Sequence, residues 1–87
     1  MAKIKTSSGF ECELDDAFRD DFELLENLAR MDKGNLSVLP DVIDAIFGDA
    51  KEAMYDHCRK DNGRVSTTAV MQVVKDVINS ADGELKN

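Results

Sequence analysis

One segment holds more residues able to bind a metal or act as a nucleophile than any other part of the sequence. It contains His57, Cys58 and the Asp-Asn-Gly turn at 61–63. The segment could bind a metal, pair a nucleophile with its base, or simply bend the chain between two helices. An EF-hand loop needs oxygen ligands at its first, third, fifth and twelfth positions around a glycine at the sixth. With Gly63 as that glycine, the first, third and twelfth positions fall on Cys58, Lys60 and Ala69. None of these is a carboxylate, so a calcium site is rejected.

Zinc binding and thiol catalysis are also poorly supported. A structural zinc site needs four Cys or His ligands, and the chain has two cysteines and one histidine. Adjacent His57 and Cys58 would point about 100° apart on a helix, which prevents joint chelation of one ion. A Cys–His nucleophile pair needs both side chains within hydrogen-bond reach. His57 shares a predicted helical face with Ala50, Ala53 and Met54, so we expect a packed histidine with one satisfied ring nitrogen.

Two pairs of adjacent carboxylates, Asp15-Asp16 and Asp20-Asp21, could supply a general acid and base only if one member were desolvated. They lie among many other charges at a predicted junction between a hairpin and a helix, so helix capping explains them better. The sequence has no glycine-rich phosphate loop and no GxSxG elbow. It therefore predicts no enzyme and no catalytic, cofactor-binding or metal-binding residue.

The length and composition predict one soluble domain, residues 1–83, followed by a loose tail at 84–87. The 87 residues are 43% hydrophobic and 33% charged, which is typical of a globular chain. The net charge of −7, with nine carboxylates between residues 11 and 32, disfavours nucleic-acid binding. No apolar run approaches the roughly 20 residues that span a bilayer. Two unpaired thiols and the lack of a signal-like N-terminus predict a reducing cytoplasm.

The elements that would carry these residues are a hairpin and helices. Residues 3–14 alternate polar and apolar, and Ser7-Ser8-Gly9 supplies a turn, which predicts a β-hairpin. Residues 18–82 follow helical spacing. The predicted fold is mainly α, with a short N-terminal β-hairpin packed on a bundle of about four short helices. The expected buried side of the hairpin consists of Ile4, Phe10, Cys12 and Leu14.

Start and stop signals divide the helical part into four. Expected N-terminal signals are a capping box at Asp20 and Glu23, Ser37, a second box at Asp49 and Glu52, and Ser66. Expected ends are Gly34, Gly48, about Lys60 and Asp82-Gly83. The inward faces are expected to hold Phe22, Leu25, Leu28 and Ala29, widened by Leu24 and Met31, in the first helix; Leu39, Val42, Ile43, Ile46 and Phe47 in the second; Ala50, Ala53, Met54 and Cys58 in the third; and Val70, Val73, Val74, Val77, Ile78 and Ala81 in the fourth.

A domain this small has a thin core, so part of its apolar surface could serve a partner or self-association. We expect the second and fourth helices to show more apolar surface than the domain covers, which would form a groove for a partner helix. The partner-binding residues predicted on this basis are Leu36, Leu39, Val42, Met71, Val74 and Ile78.

Four segments in a fixed order resemble small tail assembly chaperones of siphophages and prophages of Gram-positive bacteria. They are IKTSSGFECEL, DDFELLENLARMDKGN, LPDVIDAIFGD and YDHCRKDNGRVSTTAV, and together they span roughly residues 3–80. The resemblance rests on the ordered series, since no single segment is a strong motif. Relatives often have proline where this chain has Ser66, and both residues can start a helix.

The resemblance implies a non-enzymatic protein of the host bacterial cytoplasm that is absent from the mature virion. Such proteins keep the long tape measure protein soluble and help tail tube subunits assemble around it. A programmed frameshift often yields a longer second product, and Lys86-Asn87 is compatible with a slippery codon pair there. The alternative is a small acidic cytoplasmic regulatory adaptor that binds a basic protein. A DNA-binding helix-turn-helix is disfavoured because its recognition helix, residues 66–81, would carry only one basic side chain, Lys75.

Overall fold

An antiparallel hairpin opens the chain. The computed structural model describes residues 2–85, with side chains for residues 3–79. Strand β1 (Ala2–Lys5) pairs with β2 (Glu11–Leu14), and the register sets Ile4 opposite Cys12. The turn between them includes Gly9, whose φ of +91° is a conformation that favours glycine. The predicted hairpin is confirmed.

Four α-helices follow the hairpin within the described residues, which confirms a mainly α fold. They are α1 (Phe22–Asp32), α2 (Leu39–Phe47), α3 (Lys51–His57) and α4 (Thr67–Leu85). Short 3-10 segments precede the first three, at Asp16–Asp20, Leu36–Val38 and Gly48–Ala50. Helix α1 packs on α2, and α4 packs on β1.

The core draws on every major element. Helices α2 and α4 present continuous apolar faces, because their apolar residues recur at three- and four-residue intervals. The hairpin contributes the alternate side chains that face inward. The buried apolar residues are Ile4, Phe10, Leu14, Phe18, Leu24, Val42, Ile43, Ile46, Phe47, Met54, Cys58, Val70, Val73, Val74 and Val77.

Local hydrogen bonds set the helix starts, and only one of the predicted caps is confirmed. Ser66 caps α4, since its Oγ accepts from the N–H of Ala69 at 3.2 Å. Asp21 rather than Asp20 caps α1. Asn35 rather than Ser37 caps the segment before α2, because Asn35 Oδ1 accepts from both the N–H and the hydroxyl of Ser37. No side chain caps α3, since a 3-10 turn occupies the place of the predicted Asp49 box.

The inward face of α1 differs from the prediction. Leu24 is buried and Leu28 and Met31 are half-buried, whereas Phe22, Leu25 and Ala29 are exposed. The helix carries apolar residues on two neighbouring faces, and only one of them can meet α2. Contact with α2 turns the side of the helix that carries Leu24 inward, whereas most of the expected stripe faces solvent.

Two helix ends also differ from expectation. Helix α3 ends at His57, short of Lys60, because the chain turns at Cys58 to pair Arg59 with Val65 in a short antiparallel bridge. Ala53, expected on the buried face of this helix, is exposed. Helix α4 continues through Asp82-Gly83 to Leu85, so residues 84–85 do not form the predicted loose tail. Lys86, Asn87 and the Ala81 side chain lie outside what the structure describes.

Candidate functional site

A polar cluster joins the hairpin turn to α3. His57 is exposed, which corrects the expected burial, but its Nε2 lies 3.1 Å from Ser8 Oγ and its ring centroid lies 5.4 Å from that of Phe10. The expected single partner for a ring nitrogen is therefore present. A serine hydroxyl beside a histidine is also the first half of a hydrolase triad, so the nearby carboxylate decides what the cluster can do.

The nearby carboxylate, Asp76 on α4, accepts its hydrogen bonds from residues other than His57. Its Oδ2 accepts from the Ser7 N–H at 2.9 Å and from the Ser7 hydroxyl at 2.6 Å, while Oδ1 accepts from Gln72 Nε2 at 2.9 Å. These bonds, chiefly the one from the Ser7 hydroxyl, hold the pKa of Asp76 below its ordinary value. Asp76 thus positions Ser7 and not His57. The arrangement fastens the turn of the hairpin to α3 and α4 rather than forming a proton relay.

The Asn62–Gly63 turn is held by its own hydrogen bonds. Asn62 Oδ1 accepts from the Arg64 N–H at 2.9 Å, and Gly63, at φ +85°, donates its N–H to the Lys60 carbonyl at 2.9 Å. The Arg59 guanidinium donates to the Gly63 carbonyl at 2.9 Å. Among the side chains described, no three His, Cys, Asp or Glu residues are placed to hold a metal ion. The hydrogen bonds of Asn62, Gly63 and Arg59 hold this segment as a bend between α3 and α4.

Neither thiol is arranged as a nucleophile. Cys58 is buried, with its Sγ 4.0 Å from Met54 Sδ, and Cys12 is half-buried on β2. Burial raises the pKa of both thiols, which lowers the fraction of reactive thiolate near neutral pH. Structural packing therefore explains both residues.

An open cleft of about 440 Å³ lies between the segment before α1 and the end of α2. Apolar side chains and three carboxylates contribute to its lining. Two of these, Asp15 and Asp21, already accept backbone N–H bonds as caps. The residues lining it are Asp15, Ala17, Phe18, Asp21, Ala45, Ile46, Phe47, Gly48 and Asp49.

The predicted partner-binding residues do not form one surface. Leu36 is 55% exposed, and Leu39, Met71 and Ile78 are half-buried. Val42 and Val74, the centre of the expected groove, are only 0% and 1% exposed and belong to the core. Their helical faces were assigned correctly, but α2 and α4 use those faces for the fold itself. These two side chains are therefore inaccessible to a partner.

The residues with the largest unexplained exposure lie on α1. Phe22 is 72% exposed and Leu25 is 58% exposed. With Ala29 they occur at positions i, i+3 and i+7, which share one side of the helix. We call Phe22, Leu25 and Ala29 the outer stripe. The 3-10 turn that carries Leu36 packs against α1, so a third exposed large side chain lies on a neighbouring segment.

The sequence contains a signal for the outer stripe, although the helical spacing alone predicts that these residues are buried. Helix α1 holds more apolar residues than one face accommodates, namely Phe22, Leu24, Leu25, Leu28, Ala29 and Met31. Such an excess predicts a second apolar face, although it does not say which of the two turns inward. The contact with α2 makes that choice.

Comparisons with known proteins identify no family and no relative of this chain. No protein-family model matches the chain, and no curated protein or solved structure matches it either. Within residues 2–85, no helix combines the length and the apolar character needed to cross a membrane.

Proposed function

We propose that this protein is a tail assembly chaperone, which binds the tape measure protein of a siphophage or prophage, keeps it soluble and assists assembly of the tail tube. The observation that carries the proposal is the outer stripe, where Phe22 and Leu25 are mostly exposed on a domain with a complete core. The ordered segments that resemble such chaperones give the proposal its specific client.

The exposed stripe supports reversible binding of another polypeptide. Each Å² of apolar surface removed from water contributes about 25 cal/mol, so covering Phe22 and Leu25 favours association. Two or three exposed side chains cannot by themselves provide the roughly 800 Å² per partner of a stable complex. A modest apolar contact suits a protein that must release its client when the tail assembles.

The remaining parts of the proposal follow from the resemblance. They are action in the host bacterial cytoplasm, absence from the mature virion, contact with the tail tube protein and with a frameshifted longer form, and self-association. The acidic surface supports a protein partner over nucleic acid, because it repels phosphate backbones. The hydrogen bonds that Asp76 accepts from Ser7 argue against a Ser-His-Asp triad in this cluster.

Co-expression with a siphophage tape measure protein tests the function. We expect the soluble fraction of the tape measure protein to rise when the wild-type chain is present. A charge-matched control is an unrelated acidic domain of similar size expressed at the same level. If the tape measure protein stays as insoluble with this chain as with the control, the chaperone assignment is wrong.

A second candidate function, an acidic regulatory adaptor for a basic protein, is favoured by the charge around α1. Residues 15–33 carry seven carboxylates against three cationic side chains. An adaptor held by charge alone would release its partner steeply as salt rises, because exposed charges are screened within about 8 Å at physiological ionic strength. A complex held through the outer stripe would persist at high salt. A salt titration of the isolated complex therefore separates the two functions.

A further inference from the structure

We infer that the outer stripe of α1 is the docking site for a partner helix whose apolar residues are flanked by Lys and Arg. The inference rests on the proposed function in that it requires a polypeptide partner. It moves the binding surface from α2 and α4 to α1. It also defines the partner by its chemistry, an amphipathic and basic helix.

The geometry of the stripe selects a helix as the occupant. Phe22, Leu25 and Ala29 form a seam about 10 Å long, given a rise of 1.5 Å per residue. Spacing of i, i+3 and i+7 is the pattern by which helices pack side chains into one another. An added strand would need free backbone donors and acceptors, and the backbone groups within α1 are already paired along the helix.

The charge around the stripe selects a basic partner over a second copy of this chain. Glu26 and Asp32 lie beside the stripe on the helix surface, and Glu23 lies in the first turn. The cations of this part of the surface are Arg30, whose guanidinium lies 3.9 Å from Glu26 and 2.9 Å from Asn27 Oδ1, and exposed Lys33 after the helix, so the three carboxylates leave a net negative charge. Two copies meeting through this face would oppose like charges, whereas flanking Lys and Arg residues would complement them.

A third exposed large side chain lies on the turn that follows α1. Leu36 is exposed, and its 3-10 segment contacts α1. Asn35 fixes that segment by accepting the N–H and the hydroxyl of Ser37 at 3.1 and 2.6 Å. The three large side chains Phe22, Leu25 and Leu36 are therefore presented by ordered backbone, which reduces the entropy lost when a partner binds.

Two synthetic peptides test the inference. Both are amphipathic helices of about 18 residues with the same Leu/Ala stripe, and the flanking positions are all Lys in one and all Glu in the other. Fluorescence anisotropy measures the binding of each peptide to the wild type, to Phe22→Ser/Leu25→Ser, and to Met71→Gln. Met71→Gln is the matched control. Met71 is a half-buried apolar residue of α4 and one of the partner-binding residues predicted from the sequence.

We expect the Lys peptide to bind the wild type and Met71→Gln alike and to bind the double variant about tenfold more weakly. We expect the Glu peptide to bind the wild type at least about tenfold more weakly than the Lys peptide. Because Phe22 and Leu25 are exposed, the double variant should keep the wild-type circular dichroism spectrum and melting temperature.

Several results would overturn the docking site. These are failure of the Lys peptide to bind the wild type, equal binding of the two peptides, or a loss confined to Met71→Gln. If the double variant solubilises the tape measure protein as well as the wild type does, the function stands and the docking site fails. If the Lys peptide binds as expected but the wild type does not solubilise the tape measure protein, the docking site stands and the chaperone function fails.

Discussion

Asp76 on α4 accepts both the backbone N–H and the hydroxyl of Ser7, at 2.9 and 2.6 Å, across 69 positions of sequence. This pair of bonds fastens the turn of the hairpin to the last helix. Ser8 adds a second attachment through its 3.1 Å contact with His57 on α3. A two-stranded ribbon is marginal alone in water, so these attachments, together with the buried side chains of the strands, hold it on the helices.

Removing the Asp76 carboxylate should lower stability in a pH-dependent way. We expect Asp76→Ala to cost about 1 kcal/mol at pH 7, because two donors of Ser7 lose their acceptor. The pKa of Asp76 is lowered in the fold, so its contribution is present above the unfolded value near 3.9 and is lost as pH falls through the folded pKa. Urea denaturation at pH 7 and at successively lower pH values measures this.

The matched control for Asp76 is Asp44→Ala. Asp44 is also an acidic helix residue with a hydrogen bond, in its case from Lys51 Nζ at 2.9 Å, but it does not touch the hairpin. The difference in unfolding free energy between wild type and Asp76→Ala should shrink toward acidic pH. A difference that stays constant from pH 7 to the acid range would contradict a role for the ionised carboxylate.

The sequence predicted the elements that have a single apolar face. Val70, Val73, Val74 and Val77 recur at helical spacing with mainly polar or small residues between them, and all four are buried. The hairpin is predictable for the same reason, because its polar and apolar residues alternate along each strand. Composition and periodicity are local properties, so they suffice where a segment has only one way to bury its apolar side chains.

The sequence could not predict choices that depend on distant partners. Helix α1 has two apolar faces, and contact with α2 decides that Leu24 is buried and Phe22 is exposed. The contact between Ser7 and Asp76 has no local signature at all. Of the six predicted partner-binding residues, Leu36 alone is exposed. The pattern gave the amount of apolar surface on α1 but not its orientation.

Introducing a charge into the face of α4 should unfold the domain rather than probe a binding groove. We expect Val74→Asp to cost more than about 3 kcal/mol, because Val74 is 1% exposed and a buried carboxylate would have to be desolvated. Leu36→Asp, at a 55% exposed position, should change stability by less than about 0.5 kcal/mol. Thermal melts followed by circular dichroism check both. A stable, folded Val74→Asp protein would refute the position of α4.

The bend after α3 should require glycine at position 63 because of its backbone dihedral angle and not because of limited space. Gly63 has φ +85°, and a Cβ there would meet no atom within 4 Å. We therefore expect Gly63→Ala to destabilise by about 1 kcal/mol through backbone strain, and Gly63→Asn to cost less, since asparagine tolerates positive φ. Urea midpoints for the two variants measure the order. A loss for asparagine as large as that for alanine would contradict the positive φ as the cause.

The two thiols should react slowly in the folded protein and in a fixed order. Burial raises both pKa values, so little thiolate forms near pH 7, and Cys58 is more enclosed than half-buried Cys12. We expect a disulfide reagent at pH 7 to modify Cys12 first and Cys58 only at a rate set by unfolding. Both should react rapidly in urea, which gives the reference rate for the unfolded chain.

The same raised pKa values make stability fall at alkaline pH. A thiol whose pKa is higher in the folded state holds its proton more tightly there, so its contribution is complete below the unfolded value near 8.5 and is lost as pH rises through the folded pKa. Cys58→Ala should remove the part of this alkaline loss that comes from Cys58, although it lowers stability at pH 7 by leaving a small cavity. Urea denaturation from pH 7 to pH 10 compares the two chains. If the wild type and Cys58→Ala lost stability in parallel over that range, the buried thiol would not be the group that titrates.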